Sequence, residues 1–182
     1  MLEIIELSDS MLYVESESWQ CSFGHGKPVK LGLILETVAL NEDMHDDRFI
    51  VEAHIIPQPE YIDSEIAEEA MADEDASGVD LICYAYESYG GVPLNIDAVQ
   101  PAKASCGFSS FVAESSIVPM KAASGEEMEV RRFRDQGEAM RFARDFYAIY
   151  ASVVFNFIDT VLDNPLRAGE TGWDRIRRMA GR

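Results

Sequence analysis

Basic residues, histidine and cysteine are all scarce in this chain: 15 lysines and arginines, three histidines and three cysteines among 182 residues. Cys21, Cys83 and Cys106 are odd in number and follow no framework spacing. That argues against a disulfide-stapled scaffold and suits free thiols in a reducing, cytoplasmic setting. Long apolar runs are missing as well. The uncharged stretch from Phe146 to Ile158, bracketed by Asp145 and Asp159, is shorter than the ~18 residues a membrane span needs, so no membrane association is expected. The opening MLEIIELSDS lacks the basic start and continuous apolar core of a secretory signal. Internal repeats and low-complexity tracts are absent too, and the length suits one domain over residues 1–182.

The charge that is present is lopsided. Asp plus Glu number 33, leaving a net charge of −18. Up to Val130 there are five bases against 26 acids, net −21; from Arg131 onward ten bases face seven acids, net +3. Every base after Val130 is an arginine. Such an acidic surface repels nucleic acid and anionic membrane, so direct binding of either is not expected.

Most motifs that would carry chemistry are incomplete. Cys21 and His25 could begin a zinc site, with His45, His54 or Cys106 as distant completions, but zinc sites normally carry two close pairs. Asn41 to Asp47 is rich in oxygen ligands yet lacks the glycine and the distal acid of a calcium loop, so a solvated hairpin tip is expected. Gly24-His25-Gly26-Lys27 lacks phosphate-loop spacing, and Pro28 removes an amide donor. Gly107-Phe108-Ser109-Ser110-Phe111 has Phe111 where a nucleophile elbow needs glycine. No cofactor and no metal are expected.

Alternation and punctuation outline the first half. Leu2–Leu7 and Met11–Trp19 flank Ser8-Asp9-Ser10 and read as a hairpin. Val29–Leu40 is nearly continuous apolar, as befits a strand central in its sheet, and Arg48–Ile56 alternates as its antiparallel neighbour. Pro59 opens a helix through Ala72 whose inner side is Ile62, Ile66, Ala70 and Met71 and whose outer side is acidic. Val79–Tyr89 reads as a strand by its aromatic and β-branched content, ending at Gly90-Gly91. A short strand near Leu94–Ala98, a strand over Phe108–Val118, a turn at Ser124–Glu126 and a strand over Glu127–Arg134 follow.

The remaining chain is helical by period. From Asp135 to Asp163, polar or small residues recur at Arg141, Asp145, Ala148, Ser152, Asn156, Asp159 and Asp163, with nearly everything between them apolar. A helix of roughly 40 Å is expected, capped by Asp135 with Glu138 and covered on several sides, including Val153, Phe157 and Val161. Thr171–Arg182 reads as a short basic helix, with Trp173, Ile176 and Ala180 on one side and Arg175, Arg177, Arg178 and Arg182 on the rest. The expected fold is α+β: a curved, mostly antiparallel sheet packed around one long C-terminal helix, plus a short acidic helix and the short basic helix at 170–182. This order of elements resembles helix-grip folds, a likeness of architecture that implies no function.

The expected role is that of a non-enzymatic acidic interaction protein, binding a partner protein or a second copy of itself, with mimicry of nucleic-acid charge as one version. Its contact residues would be Glu60, Asp63, Glu65, Glu68, Glu69 and Asp73 on the acidic helix and Trp173, Arg175 and Arg178 on the basic one. The alternative is a small-ligand binder or enzyme whose cavity lies between sheet and long helix, near Tyr84, Tyr86, Tyr147 and Tyr150.

Overall fold

The computed structural model describes residues 1–21, 29–40, 48–93, 117–121, 127–149, 151 and 168, of which 21, 92, 93, 117–121 and 127–130 are described by their backbone alone. These residues form an α+β fold with an antiparallel sheet in the order β1 (Leu2–Ser8), β2 (Met11–Cys21), β3 (Val29–Ala39), β4 (Phe49–Pro57) and β5 (Val92–Pro93). A separate hairpin pairs β6 (Ile117–Lys121) with β7 (Glu127–Arg131). The chain continues from β7 to an isolated bridge between Phe133 and Phe49, which sets it against one end of β4. Pro93 and Val92 pair with His54 and Ile55 nearer the other end of that strand.

The hairpin β1–β2 and the antiparallel pair β3–β4 lie where the alternation places them. In β3, Leu31 to Leu35 are all buried, because both faces of this central strand are covered. The register assigns the two faces. Ile5, Tyr13, Ile34 and His54 stand in one cross-strand row, beside the row of Glu3, Glu15, Gly32 and Ile56. Ile4, Val14, Leu33 and Ile55 occupy the opposite face together with Glu6, Leu12, Leu35 and Ala53.

The first face is closed by α2 (Gly78–Tyr89), where Ile82 joins Tyr13, Ile34 and Ile56 in one core cluster edged by Ile5, Leu7, Met11 and Tyr86. This corrects the expected strand over Val79–Tyr89. Its start is fixed by Ser77, whose amide N–H and hydroxyl both donate to Asp80 Oδ2 at 2.8 and 2.6 Å. Its end is fixed by Gly90, which takes the left-handed conformation (φ +69°) while its N–H donates to the Tyr86 carbonyl. The periodic Ile82, Ala85 and Tyr86 then face the sheet, and the tyrosines do not alternate across a strand.

The expected helix from Pro59 to Ala72 is broken in two. A 3-10 turn at Pro59–Tyr61 ends at Ile62, whose extended backbone turns its side chain inward, and α1 (Ser64–Ala70) starts anew after Asp63. Met71, expected on the inner side, is exposed.

The second face carries α3 (Gln136–Phe142), which packs on β3 and β4. Arg144, just beyond it, pairs with Glu6 of that face, and Gln136 Nε2 donates to the Asp9 carbonyl. The expected cap holds: Glu138 N–H donates to Asp135 Oδ1 at 2.7 Å. The expected stripe holds at Arg141 and Asp145 and then shifts by one residue. Ala148 is fully buried and Ile149 is 62% exposed. A π-turn at Ala143–Tyr147 is the reason: Ala148 N–H reaches back five residues to the Ala143 carbonyl, inserting one extra residue into the turn. Outward positions then run Arg141, Asp145, Ile149, while Ala139, Ala143, Tyr147 and Ala151 stay inside. Over the described length, Ala139, Met140, Ala143, Tyr147, Ala148 and Ala151 are buried, Phe142 and Phe146 are half-buried, and Arg141, Arg144, Asp145 and Ile149 are exposed. Residues 152–167, with Val153, Phe157 and Val161, and the basic helix at 170–182 lie outside the described residues, as do the strand expectations at Leu94–Ala98 and over most of Phe108–Val118.

An aromatic knot ties the segment that leads into α3 to the far end of that helix. The Phe142 ring lies 5.1, 4.9 and 5.0 Å from those of Phe133, Phe146 and Tyr147, and the buried Arg131 guanidinium sits 4.9 Å over it.

Candidate functional site

Two features of the α2 side of the sheet are candidates for function: an acidic outer layer and a polar cluster beneath it. From Pro57 to Pro93 the chain carries ten Asp and Glu residues and no lysine, arginine or histidine. Glu60, Asp63, Glu65, Glu68, Glu69 and Asp73, the expected contact residues of this layer, are all exposed, as are Glu74, Asp75, Asp80 and Glu87. Trp173, Arg175 and Arg178 lie outside the described residues.

The layer is joined to the sheet at Gln58, a side chain only 7% exposed. Between Glu15 and Gln20 the register of β2 slips against β3, so that five steps on β2 match two on β3. Carbonyls left over by such a bulge need donors. Gln58 Nε2 supplies two hydrogen bonds, to the Ser16 carbonyl at 3.0 Å and the Leu31 carbonyl at 2.9 Å, while its own N–H donates to the Lys30 carbonyl. Nearby, Lys30 Nζ pairs with Glu17 at 2.8 Å, and this holds the Glu17 carboxyl below its usual range.

Tyrosines of α2 connect the layers. Tyr84 hydroxyl donates to Glu69, and Tyr89 hydroxyl donates to Asp63 Oδ2 at 3.0 Å while accepting from Asp63 N–H at 2.9 Å. Tyr86 points the other way, to the sheet. Its hydroxyl donates to Glu36 Oε2 at 3.1 Å and its ring lies 5.3 Å from that of His54.

Glu36 and Glu52 are cross-strand partners, so two carboxylates stand side by side. Such a pair is normally destabilising. Here each has a neutral or titratable partner: Tyr86 for Glu36, and His54 for Glu52, with Nε2 3.3 Å from Glu52 Oε2. The imidazole beside Glu52 holds that carboxyl below its usual range. Burial, and then the Glu36 charge, push the Tyr86 phenol well above its usual range. Among the described residues His54 Nδ1 is buried without a hydrogen-bond partner. Gly91, in the left-handed region (φ +53°), lets the chain pass: a Cβ there would sit 2.8 Å from His54 Cβ and 2.9 Å from Tyr86 Cε2. Chemically, the cluster combines two carboxylates, an imidazole and a phenol in a half-buried niche.

Of the tyrosines expected to line a cavity under the long helix, Tyr84 and Tyr86 belong to α2 and Tyr147 to the helix on the opposite face. Tyr150 is outside the described residues. Cys83 is a half-buried free thiol whose pKa burial raises. The incomplete phosphate-loop and nucleophile-elbow patterns at Gly24–Lys27 and Gly107–Phe111, the hairpin tip expected at Asn41–Asp47, and His25, His45 and Cys106 of the weighed zinc set lie outside the described residues, while Cys21 is described by its backbone as the last residue of β2. Among the described residues no group of three or more His, Cys, Asp or Glu could hold a metal ion, and no helix is long and apolar enough to cross a membrane.

Sequence reasoning missed the Glu36–Glu52–His54–Tyr86 cluster. Its signal was partly available, since the alternation of β4 puts Glu52 and His54 on one face; bringing Tyr86 there required reading Val79–Tyr89 as a helix. Comparison with protein-family models, with curated proteins and with solved structures finds no match.

Proposed function

We propose that the chain is an acidic interaction protein that presents the α1–α2 layer to a basic surface on a partner protein. The observation that carries this reading is the block from Pro57 to Pro93, ten carboxylates without one base, held on exposed helical ground. Such a field steers a positively charged partner and repels nucleic acid, which also supports the version in which the block mimics nucleic-acid charge. The C-terminal helix continues in this reading through Asp163 with the sheet curving about it. The basic segment with Trp173, Arg175 and Arg178 adds a second contact, to the partner or to another copy, in the cytoplasm.

The test is capture of binding proteins by the full chain and by the variant Glu65→Gln/Glu68→Gln/Glu69→Gln, followed by calorimetry with the purified candidates. The reading requires basic partners whose affinity falls in the variant. Partners bound equally by both forms would remove it.

A second reading, a small-ligand or catalytic site, is favoured by the Glu36–Glu52–His54–Tyr86 cluster, whose mix of carboxylate, imidazole and phenol is suited to proton transfer. It differs in place from the cavity expected under the long helix. Chemical-shift mapping against a small-molecule library would locate such a ligand by shifts confined to these four residues; a library that moves none of them would leave the cluster a structural one.

A further inference from the structure

Between Gln58 and Ser77 the chain forms a strap laid across α2 and fixed at both ends. One end is the buried Gln58 amide on the sheet, and the other is the Ser77–Asp80 cap of α2. What lies between is lightly held. Ile62 is its one buried side chain, α1 buries none completely, and its links to α2 include the Tyr84–Glu69 and Tyr89–Asp63 hydrogen bonds at exposed positions. The same strap carries eight of the block's ten carboxylates, from Glu60 to Asp75.

We infer that this strap is a hinged cover that opens from α2 as a unit while the sheet stays folded, with an opening equilibrium set by cation screening. Self-repulsion among its carboxylates, and with Asp80 and Glu87 of α2, favours the open form, whereas Ile62 and the tyrosine bonds favour the closed one. Segments with few buried apolar contacts open locally at far lower free energy than a core strand. Salt acts on the repulsion between exposed charges and leaves the burial of Ile62 nearly unchanged. Opening releases the hydroxyls of Tyr84 and Tyr89 and separates the acidic strap from the acidic helix under it. A basic partner docked on the strap would close it as salt does, a consequence that rests on the binding reading above. The salt response of the free chain does not rest on it, so the two can fail separately.

The experiment is amide hydrogen exchange on the full chain without a partner, comparing α1 with β3 between about 10 mM and about 500 mM sodium chloride, a range over which the screening length falls from roughly 30 Å to about 4 Å. Exchange at Ala67 to Met71 is expected to be many times faster than at Leu33 to Leu35, and about tenfold slower at high salt than at low, as befits local opening against exposed like charges. In Glu65→Gln/Glu68→Gln/Glu69→Gln the salt dependence shrinks towards that of β3. In Tyr89→Phe, α1 exchange rises about fivefold at both salts, the scale of one hydrogen bond to a charged but exposed acceptor. Exchange of α1 at the rate of β3 would mean that the strap opens only with the whole fold, and α1 exchange indifferent to salt would mean that charge does not govern it. Either result overturns the inference.

Discussion

Replacing Gln58 by Met keeps the length and most of the volume of the side chain while removing the amide that donates to Ser16 and Leu31. The position is nearly inaccessible to water, so both carbonyls lose a donor and gain none. A buried group left unsatisfied costs about 1–3 kcal/mol, and the thioether recovers a small part by apolar burial, so a loss of about 2–4 kcal/mol is expected. That is a large share of the ~5–15 kcal/mol by which a domain is usually stable. Urea unfolding followed by circular dichroism measures it as a lower midpoint. Amide exchange at Trp19 and Gln20 should quicken more than at Leu33 to Leu35, because the damage begins at the slipped register of β2. A loss below about 0.5 kcal/mol, within the usual range for a surface change, would refute the role given to this amide as the donor that completes the bulge.

Other residues test neighbouring parts of the account. Gly32→Ala places a methyl group 2.5 Å from the Tyr13 ring, which is fully buried and hydrogen-bonded to Glu15 at 2.5 Å, so overpacking of about 1–3 kcal/mol is expected in the same urea assay. Gly90→Ala and Gly91→Ala both force alanine into the left-handed region at about 1–2 kcal/mol, but only Gly91→Ala also drives a methyl into His54 and Tyr86, so it should lower the urea midpoint further. Glu52 should titrate below the ordinary carboxylate range when followed by carbon-13 NMR, and in His54→Phe its titration should rise. Because the folded-state pKa is depressed, the Glu52–His54 pair contributes stability above the unfolded carboxylate range. That contribution disappears as pH falls through the folded value, so His54→Phe should lessen the acid sensitivity of the wild type.

The legible parts of the fold were those where one period and one face decide the outcome. Val29–Ala39 announced a central strand because an apolar run that long needs cover on both faces, and the start of α3 was marked by the Asp135–Glu138 pair that forms its cap. Val79–Tyr89 was misread because β-branched and aromatic content outweighed period. Ser77 with Asp80 three residues on, Ile82 and Tyr86 one turn apart and Gly90 at the end were a better guide than propensity. The break at Ile62 and the π-turn at Ala143–Tyr147 were not legible in that way. Both arise where the packing surface selects a local geometry at odds with the regular helix, and a sequence does not display the surface it packs on. For the same reason the acids of α1 could be assigned to the exterior from sequence, whereas the meeting of Glu36, Glu52, His54 and Tyr86 depends on strand register plus the placement of α2.

The claim that charge on the α1–α2 layer drives association is tested most directly by isothermal titration of the full chain with a captured basic partner at about 50 mM and about 500 mM sodium chloride. Screening of a charge-led contact predicts Kd at least about tenfold weaker at the higher salt. A Kd unchanged across that range would contradict it.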